Sequence, residues 1–163
     1  MVLQRIYRRW AAMRLQHLED WTREWAHPAM FAGVKGGGAD LAWWHTAAQR
    51  EAAMLKDMCY RLGMADIWKC FDQVVPLLAH SILAIAGVPA PTLGAYSRMM
   101  NNVTVVNSLS IGIGEPYRRH CSIPQGCPWS MMILALLVRP WIHTIEACTA
   151  AVPRALADLM HLA

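Results

Sequence analysis

Two apolar runs constrain the fold of this chain more than any other feature. One covers residues 74–88 and is broken by Pro76, and the other covers residues 129–138 and is closed by Arg139 and Pro140. Both are shorter than the roughly 20 residues that an α-helix needs to span a bilayer. Because 56% of the residues are hydrophobic and 16% are charged, we expect buried helices. A small membrane-associated helical protein would need the runs to be exposed.

Hydrophobic periodicity and turn residues predict mainly helices, with a few short strands. The expected helices cover residues 2–26, 40–61, 72–86, a short stretch after Pro91, and 129–147. The expected strands are a buried strand at 64–70, a hairpin that turns at Asn107 and Ser108, and a strand at 153–163. No internal repeat is present. This order predicts an α+β fold, with helices packed on one face of a small antiparallel sheet.

Charge and cysteine content restrict the class of protein less sharply than the apolar runs do. The net charge of +4 and the pI near 9.0 are compatible with a polyanionic partner. Five cysteines lie at scattered spacings, with no CxxC pair and no Cys/His cluster at zinc spacing, so we expect reduced and mostly buried thiols. No secretory signal is visible. These features predict an intracellular protein, nuclear or cytoplasmic and not secreted.

The segment ADIWKCFDQV, residues 65–74, places two carboxylates in mostly apolar surroundings. Asp66 would end a strand, and Asp72 would begin the next helix, where the helix dipole favours a negative charge. A carboxylate in an apolar environment is costly unless it is paired or binds a metal. Spacing alone leaves two alternatives open for Asp66, namely a metal site and an ion pair with Lys69 or an arginine.

The segment RRHCSIPQGCPWSM, residues 118–131, combines a basic cluster, a Pro-Gln-Gly turn and a Cys-Pro helix start. Pro128 suits the first turn of a helix, where its missing N–H costs nothing. Gly126 is able to adopt a backbone conformation closed to other residues. Gln125 is then a polar side chain held at a tight turn.

These two segments resemble, in this order, two palm motifs of reverse transcriptases, particularly those of non-LTR (LINE-like) retroelements. IYRRWAAMRLQHLEDW and MFAGVKGGGADLAWW are similar to the finger helix of that family and the glycine-containing segment after it, so the resemblance covers nearly the whole chain. It implies a partial right-hand polymerase fold. Residues 1–62 would be part of the fingers and residues 63–163 the palm, with motif A near 65–74, motif B near 118–135 and a truncated motif C near 155–160.

The resemblance implies two-metal nucleotidyl transfer onto a primer 3′-hydroxyl, with Mg²⁺ (or Mn²⁺) ions about 3.5–4 Å apart. Asp66 would be the first catalytic metal ligand, beside the backbone carbonyl of Ile67. Phe71 would be a steric gate against a 2′-hydroxyl, although the sequence alone favours an ordinary core aromatic at this position. The remaining implied contacts are Gln125 and Gly126 with the template and nascent base pair, and Arg118, Arg119 and Lys35 with nucleic acid.

Motif C departs from the family pattern. Asp158 would be the second catalytic metal ligand, within bridging reach of Asp66 and on the same side of the cleft as Gln125. The family pattern has a second aspartate after it, where this chain has Leu159. The truncated motif predicts that the chain does not polymerise alone.

The resemblance implies an RNA template, a DNA primer and a dNTP as partners, with no membrane. The rest of the fingers, the thumb and a possible endonuclease would belong to a longer polyprotein. An alternative from another class is a degenerate retroelement remnant that acts only as a nucleic-acid-binding or interaction module.

Overall fold

The computed structural model describes residues 5–156 and 159–162 of the chain. Its helices and short antiparallel strands form a mixed α+β fold, as the sequence predicted. The helices are α1 (Arg5–His17), α2 (Glu19–Trp25), α3 (Ala39–Leu55), α4 (Cys70–Gln73), α5 (Pro76–Ile85), α6 (Ala90–Asn102) and α7 (Pro128–Cys148). The strands are β1 (Gly63–Asp66), β2 (Thr104–Val105), β3 (Ser108–Leu109), β4 (Gly112–Ile113), β5 (Tyr117–Arg118), β6 (Pro153–Ala155) and β7 (Leu159–Leu162).

The chain forms two units, each built from two segments. Unit 1 comprises residues 1–14 and 69–130, and unit 2 comprises residues 15–68 and 131–163. Unit 1 holds α4, α5, α6 and the strands β2 to β5, with most of α1 and the first turn of α7. Unit 2 holds α2, α3, the strands β1, β6 and β7, and the remainder of α7. The expected boundary at residue 62 separates fingers from palm in a polymerase, and it stays a prediction.

The core of unit 1 is built around Trp129, which is fully buried in the first turn of α7. Its ring stacks on Tyr96 of α6 at a centroid distance of 4.9 Å and on Trp10 of α1 at 6.5 Å. Its indole N–H donates a hydrogen bond to the carbonyl of Ala11 at 3.0 Å. The polar end of the ring is therefore satisfied inside the core, as buried tryptophans require.

The core of unit 2 is built from the buried residues of α7, the segment at residues 29–31 and the strand β6. The strands of its three-stranded sheet have the order β1-β7-β6, and both neighbours pair antiparallel to β7. The chain after α2 joins this sheet, because the Phe31 N–H donates to the carbonyl of Ala155 at 2.9 Å and the Ala155 N–H donates to the carbonyl of Ala29 at 2.8 Å. The α7 residues buried in this unit are Met132, Ile133, Leu134, Ala135, Leu136, Val138 and Ile142.

Two of the predicted helices are each divided in the structure. The helix expected at 2–26 is interrupted at Leu18, between α1 and α2. The helix expected at 72–86 is divided into α4 and α5 because Pro76 begins α5 and the preceding Val75 is extended, with ψ of 121°. A residue before proline is disfavoured in the helical region, so the second division was visible in the sequence.

Three strand predictions were wrong in detail. The single strand expected at 153–163 is divided into β6 and β7, which pair with each other. The strand expected at 64–70 is shorter, and all four residues of β1 are exposed rather than buried, because β1 is an edge strand of its sheet. The hairpin expected to turn at Asn107 and Ser108 is formed by β3 and β4, which turn at residues 110–111. The residues before Asn107 belong to β2, which pairs with the distant strand β5.

The prediction of buried apolar helices holds for the first half of α7 and fails for much of α5. In α5 the side chains of Leu77, Leu78 and Ile85 are exposed. Within the described residues, α7 is the one helix long and apolar enough to cross a membrane, with 39% of its most apolar window buried. The core helix of a folded protein meets the same criterion, so this result alone is weak support for a membrane span.

The cysteines are all free, as expected, but most of them are not buried. Cys70 and Cys127 are buried, and Cys59, Cys121 and Cys148 are exposed. The prediction of mostly buried thiols was therefore wrong. Three of the five cysteines lie on segments whose side chains face solvent, so their thiols are not buried.

Candidate functional site

The carboxylate of Asp66 is exposed at the end of β1. Within unit 2, the described residues provide no hydrogen bond or ion pair to it. Exposure removes the desolvation cost that made a cation necessary in a buried setting. The geometry of Asp66 therefore permits a metal but does not demand one. Ile67, whose carbonyl would be the adjacent ligand, is half-buried directly after the strand.

The antiparallel register makes Leu159 the Cα partner of Asp66. The strand β7, which follows residues 155–158, thus lies beside β1, which carries Asp66. Asp158 itself lies outside the described residues, so its distance from Asp66 stays a prediction. Position 159, where the resemblance leads one to expect a second aspartate, is paired with Asp66.

In unit 1, the second half of motif A lies against the start of motif B. The Ser122 N–H donates to the carbonyl of Val74 at 2.8 Å, and the Ile123 N–H donates to the carbonyl of Phe71 at 2.9 Å. These two bonds join segments about fifty residues apart in the sequence. The Phe71 side chain is half-buried, so it is neither a fully buried core aromatic nor a freely exposed ring.

A polar cluster reinforces this junction. The Ser122 hydroxyl donates to Oδ1 of Asp72 at 3.2 Å and accepts a hydrogen bond from Nη1 of Arg119 at 2.9 Å. The same guanidinium lies 3.7 Å from the Asp72 carboxylate. Ser122 has a φ of +103°, which is unusual for a residue with a side chain. Asp72 is the third residue of α4 rather than its start, and it binds the motif B loop.

The Pro-Gln-Gly turn forms as the sequence predicted. The Cys127 N–H donates to the carbonyl of Pro124 at 3.1 Å, and Gly126 has a φ of +81°. A positive φ at the third position is typical of a type II turn. Gln125, at the second position, is exposed, and Pro128 begins α7 as expected. The turn therefore presents the Gln125 side chain to solvent.

The basic residues assigned to nucleic acid differ in their surroundings. Arg118 is exposed on β5. Arg119 is half-exposed and engaged with Ser122 and Asp72. The ammonium of Lys35 forms an ion pair with Glu19, and this contact lowers the pKa of the Glu19 carboxyl. Of the three, Arg118 is the one whose side chain has no hydrogen bond or ion pair within the described residues.

The predicted site residues are distributed over both units. Asp66, Ile67 and Lys35 belong to unit 2. Phe71, Gln125, Gly126, Arg118 and Arg119 belong to unit 1. Their assembly into a single polymerase cleft therefore stays a prediction.

Sequence reasoning missed two groups in unit 2. His27, His143 and Glu146 bring their side chains together, and only the i,i+3 spacing of the last two was visible in the sequence. Arg154 on β6 is buried and bonds Oε1 of Gln49, and its burial lowers the pKa of the guanidinium. No sequence signal pointed to a buried arginine at that position.

Comparison with known proteins adds no relative. No protein-family model and no curated protein matches this chain. We therefore infer the function from the two motifs and from the geometry of the residues that carry them.

Proposed function

We propose that this chain is a polymerase palm segment of reverse-transcriptase type, built for two-metal nucleotidyl transfer but lacking one of its metal ligands. The observation that supports this proposal most directly is the hydrogen-bonded contact between residues 71–74 of motif A and residues 122–123 of motif B. Two backbone hydrogen bonds and the polar cluster of Asp72, Ser122 and Arg119 hold residues 71–74 beside residues 122–123. The parts of the two motifs that lie in unit 1 are therefore adjacent in space, although about fifty residues separate them in the sequence.

The antiparallel pairing of β1 with β7 supports the same proposal. It sets Leu159, the residue after Asp158, opposite Asp66, so the strand that follows the expected motif C lies beside the strand that carries Asp66. Asp66 would hold both Mg²⁺ ions, which activate the primer 3′-hydroxyl and stabilise the leaving pyrophosphate. The Gln125 turn would contact the template, and Phe71 would limit the space at the 2′ position.

Leu159 favours the second candidate function, a nucleic-acid-binding remnant without catalysis. Leucine offers no oxygen to a metal, and hard cations such as Mg²⁺ are bound through oxygen ligands. An under-coordinated metal pair loses most of the transition-state charge stabilisation. In this reading the basic surface of unit 1 is retained while the chemistry is lost.

Primer extension by a chimera tests the proposal. Residues 63–162 would replace the palm of a complete related reverse transcriptase, which supplies fingers and thumb. We expect the chimera to be inactive with Mg²⁺, Leu159→Asp to give activity, and Asp66→Ala in that background to abolish it. Activity without the Leu159→Asp change would show that the metal site is misassigned. No activity with it would favour the remnant.

A further inference from the structure

Three potential metal ligands, His27, His143 and Glu146, come together in unit 2. His27 follows α2, and His143 and Glu146 lie one turn apart in the second half of α7. One ligand atom from each side chain lies within 4.8 Å of the other two. His27 is half-buried, and the other two side chains are exposed.

The geometry of this cluster is close to that of a coordination site. Nε2 of His27 lies 3.3 Å from Oε2 of Glu146, and the two imidazole rings meet edge to face at a centroid distance of 5.4 Å. Bonds of about 2.0–2.2 Å in a tetrahedral arrangement separate neighbouring ligand atoms by roughly 3.3–3.6 Å. The His27–Glu146 pair already has that separation, and the exposed His143 side chain is able to close the rest by rotation.

We propose that His27, His143 and Glu146 form a binding site for a zinc-type divalent transition metal. Two imidazole nitrogens and one carboxylate oxygen suit Zn²⁺ and its neighbours better than Mg²⁺, which prefers oxygen ligands. Three protein ligands leave a fourth position for water. The ion would tie the segment after α2 to α7, independently of the proposed polymerase function.

The hydrogen bonds of His27 show which contacts of its imidazole ring a bound metal would have to replace. Its Nδ1 accepts a hydrogen bond from the Ala29 N–H at 3.2 Å, so the ring proton lies on Nε2 and is directed at Glu146. A metal on Nε2 takes the place of that proton. The neutral ring then carries its proton on Nδ1, and the long contact with Ala29 opens. Metal binding therefore alters the environment of the Ala29 amide.

Calorimetric titration with ZnCl₂ tests the site. The chain used should carry serine at positions 59, 121 and 148, because the exposed thiols there also bind zinc. We expect one ion per chain. His143→Ala and Glu146→Gln should each weaken binding at least about tenfold, while His17→Ala, at an exposed histidine of α1, should leave the affinity unchanged. Circular dichroism confirms that each variant is folded.

The Ala29 amide gives a second measurement that does not depend on the variants. Its resonance in a ¹H–¹⁵N spectrum should shift on addition of one equivalent of Zn²⁺, and the shift should vanish in Glu146→Gln. Absence of zinc binding would overturn the proposal. Unchanged affinity in either ligand variant, or an Ala29 resonance that stays in place at saturation, would do the same.

Discussion

At the scale of single residues, Gly33 is a position where the backbone leaves no room for a side chain. It has a φ of +76°, and an added Cβ would lie 2.2 Å from the carbonyl oxygen of Met131 in α7. Gly36 also has a positive φ, of +85°, but its surroundings are open. Comparing alanine substitutions at these two glycines therefore separates the energetic cost of backbone strain from that of a steric clash.

We expect Gly33→Ala to lower the free energy of unfolding by about 3 kcal/mol or more. A positive φ costs a residue with a side chain roughly 1–2 kcal/mol, and overpacking against a backbone atom adds roughly 1–3 kcal/mol. Gly36→Ala should cost only the first amount. Urea unfolding measures both, and equal losses would contradict the packing of Gly33 against α7.

The sequence showed that glycines in residues 31–40 form a connection but not which glycine is required. The atom that excludes a side chain at Gly33 belongs to Met131, about a hundred residues later. The cluster of His27 with His143 and Glu146 was hidden for the same reason. Local patterns report neighbours in sequence, whereas these constraints arise from contacts made only in the folded chain.

At the scale of elements, the junction between α4 and the motif B loop depends on the Ser122 hydroxyl. We expect Ser122→Ala to lower the free energy of unfolding by about 1–2 kcal/mol, because Asp72 and Arg119 lose their shared partner. Ser81→Ala on the exposed side of α5 is the matched control, since its hydroxyl bonds only the carbonyl of Leu77 within the same helix. Denaturant unfolding that ranks the two variants equally would contradict the role of Ser122.

Element prediction succeeded where a local signal is strong. The helix α7 was predicted within one residue at each end, because Cys127-Pro128 marks its start and a long apolar run follows. No proline or glycine marks the division at Leu18 in the sequence. At this division the carbonyl oxygen of Leu18 accepts two hydrogen bonds, one from the N–H and one from the hydroxyl of Thr22. The sequence alone did not predict these contacts.

The hairpin prediction failed for a different physical reason. Asn107-Ser108 is a favourable turn sequence. Residues 104–105, however, form β2, which pairs with β5 and not with the strand that directly follows Asn107. The Gly114 N–H then donates to the carbonyl of Asn107 at 2.8 Å, so Asn107 pairs across the ladder instead of turning. Non-local pairing overrode a local turn preference.

At the scale of the whole molecule, a net charge of +4 favours binding to nucleic acid. We expect weak affinity for a primer–template duplex that falls steeply with salt, because each phosphate contact releases counterions. Arg118→Ala should reduce the slope of log K against log salt by about 1. Arg23→Ala is the control, since that guanidinium already bonds Glu19 and Asp20. Fluorescence anisotropy measures the slopes, and a flat salt dependence would exclude an electrostatic binding surface.

We propose that Asp66 is a catalytic metal position that Leu159, the residue opposite it, disables. Broadening of the Asp66 and Ile67 amide resonances by Mn²⁺ tests this directly, in chains with His143→Ala and Glu146→Gln to remove the other proposed site. We expect little broadening in that background, strong broadening with Leu159→Asp, and none with the matched Leu159→Asn. If Leu159→Asp behaves like Leu159→Asn, or if its broadening survives Asp66→Asn, position 66 is not a polymerase metal site.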